Sequence, residues 1–424
     1  MKNTLKFGLL LLGAAVFGMP ANVFALFSYD ASYNCADCHG DGRTWDSVHG
    51  GGGGGGGGTP APAVLPAVNF NGVVGDQTSV DPAEFYAGNG FIAVAKKTDG
   101  TFTGTVRLQG KALPIKGKFD PTGNATDSVA GNAIATTALT VGKIKTPVNV
   151  ALSFDPTVLP GEISGSVTVG NGTQLDFTAL PNYTGGNQPP ANYKHELCGK
   201  YYTIILPSPD ETLGHGYATL SVAANGAAKF AGKLSDGTIF TSTSYTVDDG
   251  NGNWVVPVQI PLYKGLGVVV GEIKIPKVVP TNSAGVIGAL GWMSPGAPKA
   301  KAIVSRTAFV QTLEPTGEIY PKLVKGTSLI PGGTFTLLAG SLQPLAGKWP
   351  ATNVPSFLPS KLAKMTLTPA TGIIKGSFCP PGGKSTSFEG VILAKPVTAG
   401  ADTLQGAGFF STGTGFGSVE ITVP

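Results

Sequence analysis

Charged side chains are scarce in this chain. They make up 13% of its 424 residues, against about a quarter in an ordinary globular protein. Only three are arginine: Arg43, Arg107 and Arg306. Lys and Arg number 29 against 25 Asp and Glu, a net charge of +4 with no basic cluster, so no nucleic-acid partner is expected. His, Met and Cys occur four times each, and no G-x-S-x-G, Walker loop, H-E-x-x-H or paired-carboxylate signature is present. The sequence therefore names no catalytic residue. After the N-terminal segment no apolar run approaches the roughly 20 residues of a membrane-spanning helix, and none is expected in the mature chain. The shortage of charge does not signal disorder, because 42% of residues are apolar and the mean hydropathy is +0.16. Glycine (63) and proline (33) are what the chain has in excess.

The first 25 residues have the pattern of an export signal. Lys2 and Lys6 precede the apolar run Phe7 to Phe17, and Val23-Phe24-Ala25 supplies the small-residue spacing of a cleavage site. Cleavage after Ala25 leaves 27 basic and 25 acidic residues. No Cys stands at that site, so lipid anchoring there is unsupported. The expected destination is the periplasm or the cell exterior of a bacterium.

The sharpest chemical signal follows at Cys35-Ala36-Asp37-Cys38-His39-Gly40. Two thiols three positions apart can each form a thioether with one vinyl group of a haem, and the adjacent His then faces the iron. A Cys35–Cys38 disulfide, a thioredoxin-like pair and a zinc site are the other readings. A redox pair calls for a βαβ pattern, which is not visible, and zinc for two further ligands at short spacing. On these residues the segment resembles a c-type cytochrome, and Gly40 matches the C-x-x-C-H-G form of small bacterial members. The resemblance covers about residues 29 to 49. It implies one covalent haem c on Cys35 and Cys38, with His39 as proximal iron ligand.

A self-contained cytochrome c wraps its haem in helices and brings a distal Met from farther along. Here the candidate haem-binding segment, 26–49, ends where nine consecutive glycines begin, Gly50 to Gly58, and twenty-four residues cannot enclose a haem. The sixth ligand stays open among His49, His195, His215, Met293 and Met365, with His49 the first choice because it is nearest in the chain. Residues 50–66, the glycines and then Thr59-Pro60-Ala61-Pro62-Ala63, read as a linker.

Beyond residue 67 the hydrophobic pattern has a period of two. Thr101 to Leu108, Val148 to Phe154 and Ser418 to Val423 alternate apolar and polar residues. Trp254, Val256, Val258, Ile260 and Leu262 share one face opposite Pro257 and Pro261, the pattern of an edge strand. The expected fold class is all-β, antiparallel β-sandwich or barrel modules, divided as 67–190, 191–310 and 311–424. Asp81-Pro82-Ala83-Glu84 carries the signals of one short helix, and Ser360 to Lys364 those of another turn. Apolar-x-Gly-x-apolar recurs around Gly104, Gly232 and Gly376, each time after another strand, and predicts three repeats. This glycine-rich body looks like the all-β modules of exported bacterial surface proteins, a likeness that implies no catalytic residue.

Asp249 to Asn253 has oxygen ligands at alternate positions but reads better as a hairpin turn, since an EF-hand needs Gly where Trp254 stands. Cys198 and Cys379 are expected to form a disulfide in an oxidising compartment, two buried free thiols being the alternative. The functional expectation is an exported monohaem electron carrier whose β body docks or assembles the haem. Its partners would be other haem proteins or its own subunits in an oligomer or filament. A structural or adhesive surface protein, or a haem-based sensor, is the second reading.

Overall fold

The computed structural model describes residues 67–424 apart from 122–130, 156–160, 173, 183–193, 209–212, 280–283, 297–306, 341, 359–360, 381, 400–401 and 413–415. The chain divides into two units, 1–61 and 62–424, and the described residues belong to the second. They form twenty-seven antiparallel strands and one α-helix.

The first nine strands are β1 (Val68–Val74), β2 (Gly90–Lys96), β3 (Thr101–Leu108), β4 (Lys111–Lys118), β5 (Asp120–Pro121), β6 (Gly131–Val141), β7 (Ile144–Asp155), β8 (Glu162–Val169) and β9 (Gln174–Pro181). They make one sheet in the order β4-β3-β2-β1-β9-β8-β7-β6-β5, and β4 lies alongside β6, so the sheet curls into a barrel. Alternate residues fill it, among them Phe70, Ile92, Phe102, Val150 and Ile163. That is the period of two seen in the sequence, with one side chain in every two pointing inward.

The middle strands are β10 (Tyr201–Leu206), β11 (Gly216–Val222), β12 (Ala227–Lys233), β13 (Ile239–Tyr245), β14 (Val247–Asp248), β15 (Asn253–Leu262), β16 (Gly267–Pro276), β17 (Ile287–Ser294), β18 (Phe309–Leu313) and β19 (Thr316–Ile319). Two five-stranded sheets, β13-β12-β11-β10-β19 and β14-β15-β16-β17-β18, enclose a single core around Tyr202, Phe230 and Trp292. Strands β18 and β19 carry this module to Ile319, past the border expected at residue 310. Strand β15 is an open-edged strand: β14 bonds it only at Trp254 and Val255, and beyond that it lies beside β13 without joining the same sheet. Pro257 and Pro261 stand in that stretch, where a missing N–H costs no ladder bond.

The last strands are β20 (Thr334–Ala339), β21 (Leu345–Lys348), β22 (Ser356–Phe357), β23 (Ala363–Thr368), β24 (Ile373–Phe378), β25 (Thr386–Ala399), β26 (Asp402–Ser411) and β27 (Phe416–Thr422). Their order is β22-β21-β20-β27-β26-β25-β24-β23, and the core holds Trp349, Phe335 and Ile374. Ala363 and Lys364 begin β23 instead of ending a helical turn, a correction to the sequence expectation; their alternation with Met365 is followed by the sheet.

The helix expected at Asp81 is present as α1 (Pro82–Gly88), and the Asp81 carboxylate accepts hydrogen bonds from the N–H groups of Ala83 and Glu84. Its one fully buried residue, Phe85, packs with Val73, Val268, Val270 and Met293, joining the first module to the second. A second apolar seam, Ile205 and Tyr217 against Val391, Leu393, Ala407 and Phe409, joins the second to the third.

The repeat is a hairpin with a four-residue loop: β2–β3, β11–β12 and β23–β24. Each loop ends in a glycine at positive φ, Gly100 (79°), Gly226 (76°) and Gly372 (68°), a conformation in which a Cβ is strained. The glycine within the second strand answers a close approach. An added Cβ would stand 2.5 Å from the Ala93 carbonyl oxygen at Gly104, 2.0 Å from that of Tyr217 at Gly232, and 2.2 Å from that of Lys364 at Gly376. Counted from the loop, Gly104 and Gly376 occupy the same pair, whereas Phe230 fills that position in the middle module and Gly232 lies two residues farther along the same face.

Candidate functional site

Cys35, Cys38, His39 and His49, with the Gly50 to Gly58 tract, lie outside the described residues. The other four candidates for the sixth ligand are all placed within the β body, and each is occupied there.

His195 precedes β10 and is 1% exposed. Its Nδ1 accepts from the Leu197 N–H at 3.1 Å, which leaves the proton on Nε2, 2.9 Å from Thr246 Oγ1. The Thr246 hydroxyl in turn donates to the Gly226 carbonyl at 3.1 Å, in the repeated hairpin loop. The imidazole also lies 4.5 Å from the Trp254 ring. Burial, with a smaller push from the Lys200 charge, lowers its pKa from 6.5 to about 4. His195 is thus a neutral cross-link of the middle module.

His215, in the loop before β11, faces Glu420 across the second seam, with Nε2 3.3 Å from Oε1. The hydrogen bond from His215 holds the Glu420 carboxyl below its ordinary pKa against the opposing effect of burial. Beside it, Lys233 pairs with Glu389 at 2.5 Å, and the Tyr217 hydroxyl donates to the other Glu389 oxygen at 3.0 Å. These groups fasten two modules together. Met293 and Met365 are buried, the first in the seam around Phe85 and the second in the core of the third module.

Cys198 and Cys379 are free thiols, which corrects the expected disulfide. Each is held in its own module: Cys198 by its N–H to the His195 carbonyl and a bridge to Val222, Cys379 by its N–H to the Leu362 carbonyl, with its Sγ 3.5 Å from the Gly383 carbonyl oxygen. Among the described residues no group of three His, Cys, Asp or Glu gathers as a metal site.

Two open grooves among the described residues bear on binding. One, of about 420 Å³, runs over β24 to β26 past Lys375, Ser387, Glu389 and Phe409, so its carboxylate is already engaged by Lys233 and Tyr217. The other, of about 350 Å³, lies on the outer face of β1 to β3, and none of the described residues that line it is charged. Its side chains form two cross-strand rows, Asn71–Ala93–Thr105 and Asn69–Ala95–Thr103. Asn182, directly after β9, and Tyr245, at the end of β13 in the middle module, close it. Asn71 and Asn182 are almost wholly buried, and the Asn71 amide donates to the Asn182 side-chain oxygen. Reading along the chain missed this site. Its signal was the alternation Asn-x-Asn, Ala-x-Ala, Thr-x-Thr, which means little until strand register sets the three segments side by side.

No known protein family matches the sequence, and no curated protein does. A crystal structure of a protein of unknown function from the DUF3598 family of Nostoc punctiforme is similar at 10% identity, covering 59% of this chain and 95% of the other, with a TM-score of 0.13. That similarity is too slight to bear on fold or function.

Proposed function

We propose that the chain is an exported monohaem c-type cytochrome that acts in electron transfer, its all-β body docking or assembling the haem. The observation that carries this reading is Cys35-Ala36-Asp37-Cys38-His39 directly behind an export signal. Cys35 and Cys38 would hold the haem through thioethers and His39 would ligate its iron; the group itself supplies one-electron chemistry. His195, His215, Met293 and Met365 are engaged within the body, which favours His49, or a residue of another chain, as the sixth ligand. A segment of twenty-four residues leaves the haem faces uncovered, and uncovered apolar surface favours association at about 25 cal/mol per Å². The cover this reading calls for is the chain's own β body across the linker or another subunit. Another subunit is favoured, because a long glycine tether permits docking between chains. The second reading, a structural or adhesive surface protein or haem-based sensor in which the haem is secondary, draws its support from the uncharged groove.

The test is the visible spectrum and intact mass of the exported protein. One haem per chain that survives denaturation, and is lost in Cys35→Ser with Cys38→Ser, is the expected result. A mass equal to the unmodified mature chain overturns it. In His49→Ala a change from a low-spin six-coordinate to a five-coordinate spectrum supports the ligand; an unchanged spectrum removes His49 from consideration.

A further inference from the structure

The groove on β1 to β3 has a definite chemistry. Its floor is the central strand, where Ala93 and Ala95 project no farther than a methyl group. Its two sides are polar: Asn69 and Asn71 on β1, Thr103 and Thr105 on β3. Two strand spacings separate the sides by about 10 Å. Among the described residues no Asp, Glu, Lys or Arg lines it, so neither a cation nor an anion finds a counter-charge there. Strands β1, β2 and β3 are each hydrogen-bonded on both sides, so a peptide has no free edge to extend.

Side-chain amides and hydroxyls that both donate and accept, at fixed spacing and without charge, suit a ligand dense in neutral hydroxyl groups. Asn71 and Asn182 are held in place by burial and by each other, which leaves the Asn71 Oδ1 to accept and the Asn182 Nδ2 to donate. Tyr245 adds an aromatic ring with a polar tip, and aromatic faces cover the C–H face of a sugar. We propose that this groove is a binding site for a neutral saccharide. Its volume, about 350 Å³, lies at the small end of ligand sites of about 300–1,000 Å³ and suits a short stretch of a glycan. The site does not depend on the haem reading, since every residue in it belongs to the β body.

The experiment is saturation-transfer NMR on the full-length protein with maltotriose, cellotriose, the trimer of N-acetylglucosamine and, as comparisons, dextran sulfate and a mixture of tripeptides. At least one neutral trisaccharide is expected to bind with a Kd of about 10 μM to 5 mM. Asn69→Ala should weaken it about tenfold, and Ala95→Leu, which raises the floor, should abolish it, both with unchanged thermal melting because Asn69 is exposed and Ala95 half-buried. The Cys35→Ser, Cys38→Ser variant should bind as the wild type does, which separates this outcome from the fate of the haem. Silence of all three trisaccharides, binding that survives both groove variants, or preference for the sulfated polymer or the peptides overturns the proposal.

Discussion

At the scale of single residues, His195 ties burial to a measurable pH dependence. Its folded pKa of about 4 lies below the ordinary 6.5, so between those values the unfolded chain binds the extra proton. Its contribution to stability is complete above about pH 6.5 and is lost as the pH falls toward 4, with an upper bound of about 3 kcal/mol. His195→Asn should lower stability at neutral pH and flatten its decline between pH 6.5 and 4, measured by denaturant midpoints. An undiminished decline would assign it to other groups. Gly232 gives a second residue-scale prediction. Gly232→Ala sets a Cβ 2.0 Å from the Tyr217 carbonyl oxygen, two backbones must part, and a loss of about 1–3 kcal/mol or more is expected. Gly88→Ala, whose nearest neighbour would be a Leu175 methyl at 3.9 Å, should change stability by less than about 0.5 kcal/mol. Equal effects of the two would mean that the sheet yields at Gly232.

At the scale of elements, α1 has a legible start and an illegible purpose. Asp81, Pro82 and Glu84 announce it, and Asp81→Ala should cost about 1 kcal/mol through the lost cap. What the helix does depends on Phe85, whose ring lies where a side chain on Gly291 would stand, 2.3 Å from the position of its Cβ. Phe85→Ala should therefore cost about 3–5 kcal/mol, several times the cap, by thermal or chemical unfolding. Comparable losses from the two substitutions would show that the helix is held by its own ends and not by the seam. Strand β15 teaches the complementary lesson. The alternation from Trp254 to Leu262 and its two prolines gave a strand and its open edge, but Pro257 and Gln259 on the other face are buried as well. That second burial comes from the first module, with β1 and β2 lying against β15, and local alternation holds no record of it.

At the scale of the whole molecule, the three modules are joined by buried apolar contacts and by the Lys233–Glu389–Tyr217 and His215–Glu420 groups. Calorimetry should show the second and third modules unfolding in one transition. Phe409→Asp places a charge among Ile205, Tyr217, Val391 and Leu393, and should split that transition in two. A single transition in the variant would mean that the seam does not couple them.

The all-β class, the helix start at Asp81, the turn at Asp249 to Asn253 and the three hairpins follow from sequence alone, because alternation, caps and turn glycines act within a few residues of themselves. The same locality makes the C-x-x-C-H spacing at Cys35 to His39 readable without any fold. Tertiary structure decided what depends on register and on contacts across modules. It kept Cys198 and Cys379 apart, each fixed by its own module's backbone. It turned His195 inward to bond Thr246, and it set Asn69, Ala95 and Thr103 in one row although 34 positions separate the first from the last. Antiparallel pairing joins residues by strand order and register, and those are settled only when the barrel closes around its core.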